Sequence, residues 1–167
     1  MEKKYILAIN PGSTSTKVSV FQGLEEIKSQ KLEMNLEDLK QFDTIIDQYQ
    51  FRQDIIENWL KDEGLDKKLI KAVVGRGGLL RPMPSGTYVV TDAMIEDLKI
   101  GIQGQHASNL GGILAKGIGD ELGVSSYIVD PVAVDEFEPE ARISGIPDIQ
   151  RRSPPHALNI IAVAHRS

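Results

Sequence analysis

Hydrophobic and polar positions change period along this chain, and the change separates a strand-rich start from an alternating remainder. Tyr5-Ile-Leu-Ala-Ile9 is a short apolar run stopped by Asn10-Pro11-Gly12, the pattern of a buried strand ended by turn residues. Lys17-Val-Ser-Val-Phe21 alternates polar and apolar residues, as a half-buried strand does, and Ile27–Met34 predicts a third, weaker strand. Three short strands with tight turns predict an antiparallel meander. The period then lengthens. Phe42, Ile45, Ile46 and Tyr49 fall at i, i+3, i+4 and i+7, an amphipathic helix. Phe51, Ile55, Ile56, Trp59 and Leu60 continue a helical face to Gly64, a helix-ending glycine.

Beyond Gly64 strands and helices alternate. Leu69–Val74 reads as a strand running into Gly75-Arg76-Gly77-Gly78, and Thr87–Val90 as another. Thr91 or Asp92 can cap a short helix carrying Met94, Ile95 and Leu98. Leu110, Ile113, Leu114, Ile118 and Leu122 mark a longer helix closed by Gly123. Ser126–Val129 is a strand ending at Asp130-Pro131, and a last helix begins near His156. A β-meander followed by alternating helices and strands is an α/β order, with a central mixed sheet covered by helices. In such sheets ligands sit outside the carboxyl ends of the strands. Three predicted strand ends therefore matter for chemistry: Asn10, Arg76 and Asp130.

Composition narrows this picture. With 167 residues, no repeat and no Pro/Gly/Ser-rich linker, one domain is expected. The net charge is −5, from 19 Lys+Arg and 24 Asp+Glu with no cationic block, which argues against nucleic acid or an anionic membrane as main partner. The absence of cysteine excludes disulfides, thiolate catalysis and zinc–thiolate sites. No apolar run approaches the roughly 18 residues that span a bilayer. Tyr5–Ile9 is also shorter than the ~7–15-residue core of a secretion signal. The cytoplasm is the expected location.

Several constellations could carry chemistry. Asn10-Pro-Gly-Ser-Thr-Ser-Thr-Lys17 lies between two strands, and small hydroxyl residues with a glycine and a lysine suit a turn that receives phosphate oxygens. A P-loop is rejected, because Lys17 stands where its second glycine belongs and a strand follows. A plain Ser/Thr-rich hairpin turn has the same composition. In Gly75-Arg76-Gly77-Gly78 the glycines would let a ligand approach the backbone, and arginine suits a carboxylate or phosphate. Read alone, Arg76 is more simply a solvated loop residue. Gln105-His106-Ala-Ser-Asn-Leu110 opens a helix, where His106 or Ser108 as a cap is the favoured local reading. Asp130, followed by Asp135 and Glu136, is a strand-end acid of the kind that holds hydrated Mg²⁺, or a solvated loop. Arg151-Arg-Ser-Pro-Pro-His156 places cations and a histidine ahead of a helix, or is simply a charged loop.

Taken together, in order along the chain, these motifs resemble the acetate and butyrate kinases of the actin, sugar-kinase and Hsp70 superfamily. Ile9-Asn-Pro-Gly-Ser-Thr-Ser-Thr-Lys17 resembles the first phosphate motif of that superfamily. Val74-Gly-Arg-Gly-Gly-Leu79, His106-Ala-Ser-Asn-Leu-Gly111, Val129-Asp-Pro-Val-Ala-Val-Asp-Glu136 and His156-Ala-Leu-Asn159 look like the butyrate kinase branch. The histidine-containing glycine loop and His-Gly-Thr-Ser-His segment of the acetate branch are missing.

The resemblance implies a ribonuclease H-like, actin-like α/β domain: a mixed five-stranded sheet with a β-meander start and flanking helices. It implies ATP-dependent phosphorylation of butanoate with Mg²⁺, in an enzyme that forms homo-oligomers when full length. It puts Asn10, Ser13, Ser15 and Lys17 around the transferring phosphoryl group, and Asn10 and Asp130 at the metal. Arg76 would face the carboxylate or acyl phosphate, His106 would line the acyl cleft, and His156 would stabilise the γ-phosphoryl group. The expected partners are small molecules, a short-chain carboxylate and ATP, not nucleic acid or membrane. Isobutanoate or another branched acid is an alternative substrate, and a non-catalytic phosphate-binding half-domain an alternative role. The family carries a second domain with a glycine-rich phosphate loop and the adenosine pocket. Residues 1–167 would then be the N-terminal domain alone.

Overall fold

The structure, a computed structural model, describes residues 4–146 and 148–151. Three strands open the chain, β1 (Tyr5–Pro11), β2 (Ser15–Gln22) and β3 (Glu25–Glu33), and they pair antiparallel in succession. β4 (Ile70–Arg76), β5 (Thr87–Val89) and β6 (Ser125–Val129) follow. β4 adds to β1 in parallel, β6 to β4 in parallel, and β5 lies antiparallel at the far edge. The order is β3-β2-β1-β4-β6-β5, so the mixed sheet has six strands rather than five. The additional strand is β5, only three residues long. Main-chain bonds at both its ends tie it to β6, from Val90 N–H to Ser126 O (2.9 Å) and from Asp130 N–H to Gly86 O (2.9 Å).

Among the described residues four α-helices accompany the sheet: α1 (Leu36–Leu39), α2 (Tyr49–Asp62), α3 (Asp92–Ile100) and α4 (Asn109–Leu122). The amphipathic pattern from Phe42 overstates the start of α2. Residues 42–45 form a turn, a 3-10 turn covers Ile46–Gln48, and the α-helix begins at Tyr49. Asp47 Oδ2 accepts both the N–H and the hydroxyl of Thr44, which fastens the chain outside the helix. Phe42 instead packs on Phe51, ring centroids 5.6 Å apart. At α3 the cap is Thr91, whose hydroxyl accepts the Met94 N–H, and α4 ends at the left-handed Gly123. The helix expected near His156 lies outside the described residues.

Alternation along the strands sorts the sheet into two faces. Leu7 and Ile9, Val18 and Val20, Val73 and Ile128 are buried on one face, beneath Leu110 and Leu114 of α4 and Ile56 and Leu60 of α2. Ile6, Ala8, Asn10, Lys17, Val74, Arg76 and Val129 point to the other, and none of them is fully buried. α4 lies across β1, β4 and β6 with almost no gap, because glycines meet at the crossing. A Cβ on Gly75 would sit 2.0 Å from the Gly111 carbonyl oxygen, and one on Gly111 would sit 2.1 Å from that of Arg76.

Candidate active site

The β1–β2 register pairs Asn10 with Lys17 and Pro11 with Thr16, leaving Gly12, Ser13 and Thr14 as the turn. The Gly12 N–H closes it onto Ser15 O at 2.7 Å, and Met34 N–H binds Thr14 O at 3.0 Å. The chain leaves in a strand, as the rejection of a P-loop required. Since side chains alternate, Asn10, Lys17 and Arg76 emerge on the same face. Arg76 Nη1 donates to Asn10 Oδ1 across a long 3.4 Å. With Ala8, Phe21, Val74 and Val129 these residues line a cleft of about 320 Å³ at the carboxyl ends of β1 and β4. Ser13 is exposed in the turn and Ser15 opens β2. Among the described residues neither hydroxyl has a hydrogen-bond partner, and neither Lys17 nor Arg76 makes an ion pair. The carboxylate that acts on Lys17 at longer range is Glu26, held below its ordinary pKa by the hydroxyls of Ser29 and Ser19.

A residue that sequence reasoning passed over stands behind this hairpin. Arg52 of α2 is 1% exposed and reaches the turn from the helix-covered side of the sheet. Its Nη2 donates to Ser13 O (3.2 Å), and its Nη1 to Ser15 O (3.2 Å) and Thr16 Oγ1 (2.9 Å). The remaining bonds go to Gln48 Oε1, from Nη2 at 2.8 Å and Nε at 3.1 Å. The signal for it was present in the helix pattern. The buried positions of α2 are Arg52, Gln53, Ile56, Trp59 and Leu60, so an arginine occupies an interior place in the apolar stripe.

The glycine loop behaves differently from its sequence reading. Its glycines admit the chain's own backbone rather than a ligand. A Cβ on Gly77 would meet Pro131 at 2.5 Å, and one on Gly78 would meet Asn109 Cα at 2.6 Å. Asn109, fully buried, accepts the Leu79 N–H at 2.9 Å and donates to Gly104 O at 3.0 Å. His106 sits at the exposed start of α4, where its Nδ1 accepts the Ser108 N–H at 3.1 Å and lies 2.8 Å from Ser108 Oγ. Nδ1 is thus an acceptor, which puts the proton of a neutral ring on Nε2. His106 does not line the Asn10–Lys17–Arg76 cleft.

Asp130 directly follows Val129, which pairs with Arg76, so it belongs to the same end of the sheet. Its backbone has φ 41°, left-handed for a residue other than glycine. Its Oδ1 accepts the Gly86 N–H at 2.8 Å, and no described residue binds Oδ2. The acids after it are engaged elsewhere. Asp135 accepts from Arg142 at 2.8 Å, and Glu136 Oε1 accepts from Ser85 N–H and Oγ–H at 2.8 and 2.6 Å. No cluster of three or more His, Cys, Asp or Glu forms among the described residues. The available donors, one Asp130 oxygen and Asn10 Oδ1, suit a cation that takes one carboxylate and otherwise water and phosphate oxygens, as Mg²⁺ does. The fold thus gathers Asn10, Lys17 and Arg76 into one cleft, with Ser13 and Ser15 in the adjoining hairpin and Asp130 following Val129 of its wall. His156 lies outside the described residues. No described helix is long and apolar enough to cross a membrane.

No family model matches the chain. A probable butyrate kinase from Clostridium botulinum is 55% identical over 161 residues, 96% of this chain and 45% of that protein. Butyrate kinases 1 and 2 of Clostridium acetobutylicum are 53% and 54% identical over the same shares. The chain therefore spans about 45% of the length of these curated relatives. Among solved structures, a propionate kinase from Francisella tularensis superposes with a TM-score of 0.62 at 14% identity, over 98% of this chain and 48% of that one. Porphyromonas gingivalis acetate kinase gives 0.60 at 15% identity, over 95% and 49%. At such identities the likeness concerns the fold, and it is the actin-like α/β fold that the motifs implied.

Proposed function

By sequence the chain belongs with the butyrate kinases, and we propose that it forms the N-terminal, ribonuclease H-like domain of an enzyme that phosphorylates butanoate. The reaction moves the γ-phosphoryl group of ATP onto the carboxylate, giving butanoyl phosphate and ADP. One observation carries this reading beyond relatedness. Two cations without ion-pair partners among the described residues, Lys17 and Arg76, line a cleft whose walls include Ala8, Phe21, Val74 and Val129. The adjoining hairpin turn carries the Ser13 and Ser15 hydroxyls, also unpartnered among those residues. A short-chain acid has that composition, one anionic end and a few apolar carbons.

The chemistry needs no strong base, since a carboxylic acid of pKa near ~4 is already ionised at neutral pH. The barrier is the meeting of two anions, and fixed positive charge and donors lower it. Arg76 holds and turns the carboxylate, while Lys17, Ser13, Ser15 and Asn10 receive the phosphoryl oxygens. Asp130 and Asn10 would hold Mg²⁺, which when bound neutralises phosphate charge. His106, which does not line this cleft, and His156 are assigned to the acyl chain and the γ-phosphoryl group through the family motifs alone. A second domain, in the length that the relatives have beyond this chain, would bring the adenosine pocket. The enzyme would work in the cytoplasm as a homo-oligomer.

The test uses the full-length protein with ATP, Mg²⁺ and acetate, propanoate, butanoate or isobutanoate, trapping acyl phosphate with hydroxylamine. Butanoate should exceed acetate in kcat/KM by about tenfold or more, a methylene-scale discrimination. Asp130→Ala should lower kcat by about 10² or more, and Arg76→Ala should act first on KM for the acid. No hydroxamate from any of the acids would refute the reading, and preference for isobutanoate would move it to the branched substrate.

A further inference from the structure

We propose that Arg52 is a positioning residue for phosphoryl binding, a buried cation beneath the β1–β2 hairpin whose charge is left for the bound phosphate to balance. The inference rests on the reading of that hairpin as the phosphoryl site. All of its acceptors are neutral: two main-chain carbonyls, the Thr16 hydroxyl and the Gln48 amide oxygen. Among the described residues Arg52 makes no ion pair, whereas Lys28, Lys67, Arg81, Lys116 and Arg142 all do. Burying a charge without a counter-charge is costly, and folds ordinarily avoid it. Burial lowers the guanidinium pKa only to about 10, so it stays charged at neutral pH.

Two consequences follow for the hairpin. Arg52 draws the Ser13 and Ser15 carbonyls towards the helix side of the sheet, so lone pairs that would repel a phosphate are occupied from behind. Its charge also lies under the same turn that Lys17 and Arg76 approach from the cleft side. A phosphate in the turn would be held between cations on two faces of the hairpin. The position where a carboxylate would neutralise Arg52 is already filled. Gln48, one helical turn earlier, touches it through an amide oxygen that carries no charge.

That position supplies the test. In the full-length protein, Gln48→Glu provides Arg52 with a carboxylate at hydrogen-bonding distance. Expected are a higher Tm without ligand, about tenfold weaker binding of inorganic phosphate by calorimetry, and a kcat lowered about tenfold with KM for the acid unchanged. A brace with no electrostatic role predicts the higher Tm with phosphate affinity and kcat unaltered, and that result overturns the proposal. A lower Tm also overturns it, since Arg52 would then not be short of a counter-charge. Arg52→Lys should retain more phosphate affinity than Arg52→Gln, and equal affinities in the two count against the charge. If Arg52→Gln does not fold, Gln48→Glu alone decides. Phosphate binding needs no turnover, so the two readings fail separately. Weakened phosphate binding by Gln48→Glu, in a protein that phosphorylates none of the acids, keeps Arg52's role and removes the butanoate reading. A wild-type protein that transfers phosphate, with Gln48→Glu indistinguishable from it, does the reverse. A wild-type protein that neither binds phosphate nor transfers it overturns both.

Discussion

Two glycine-containing segments meet at the carboxyl ends of β1 and β4, the hairpin of residues 10–17 and the loop of residues 75–78, and they use their small residues in opposite ways. In the hairpin, Lys17 lines a cleft without an ion-pair partner among the described residues, and the turn is steadied from behind by Arg52. In the loop, the space that side chains would fill is taken by the chain itself, at Gly111, Pro131 and Asn109. Both segments read alike as places where a ligand approaches backbone. Glycine records only that something comes close, and the partner is chosen by the packing of distant elements. Arg76 belongs to both regions: its carbonyl is pressed against Gly111, while its guanidinium reaches into the cleft.

Substitutions on the two sides should therefore separate folding from chemistry. The largest effect is expected from Gly75→Ala. Its methyl would lie 2.0 Å from the Gly111 carbonyl oxygen, a backbone atom that cannot swing aside. Overpacking of that kind costs about 3 kcal/mol or more, and denaturant melts of the variant will measure it. A melt matching the wild type would return this glycine to a ligand-facing role.

Lys17→Ala should do the reverse. Lost positive charge at the phosphoryl group lowers kcat by about 10², while stability stays within about 0.5 kcal/mol, as for other exposed substitutions. Unfolding without a change in turnover per folded molecule would break the contrast.

The smallest effect concerns Glu136, which fastens the 131–136 segment to Ser85 ahead of β5. The Ser85 hydroxyl and N–H hold its carboxyl below the ordinary 4.5. A carboxyl depressed in the folded state contributes stability above its unfolded pKa and loses it as pH falls through the folded one. Glu136→Gln should thus be slightly less stable than wild type at about pH 7 and match it at about pH 3. Urea midpoints at the two pH values check this, and a gap that persists in acid would assign the effect to shape instead of charge.

Much of the molecule was legible before folding was considered. The meander, the alternation that puts Asn10 and Lys17 on one face, the Thr91 cap and the terminal glycines of α2 and α4 all follow from patterns within about ten residues. The start of α2 was misread because Phe42 and Ile45 fit a helical period while Thr44 and Asp47 bond across the turn. The strand over Thr87–Val90 was legible too, but its place beside β6 as a sixth strand at the sheet edge is a fact that no window around residues 87–89 contains.

What the chain determines by itself is local: which residues alternate, where helices stop, and which segments carry hydroxyls, glycines and cations. What only the tertiary structure decided is who meets whom. Arg52 finds Ser13 across 39 positions, Gly75 closes on Gly111, and Asp130 turns left-handed so that its carboxyl reaches Gly86. Periodicity records the face a residue presents, whereas these contacts depend on how α2, α4 and the β5 edge settle on the sheet. The balance between a braced, charged hairpin and a glycine joint is settled there.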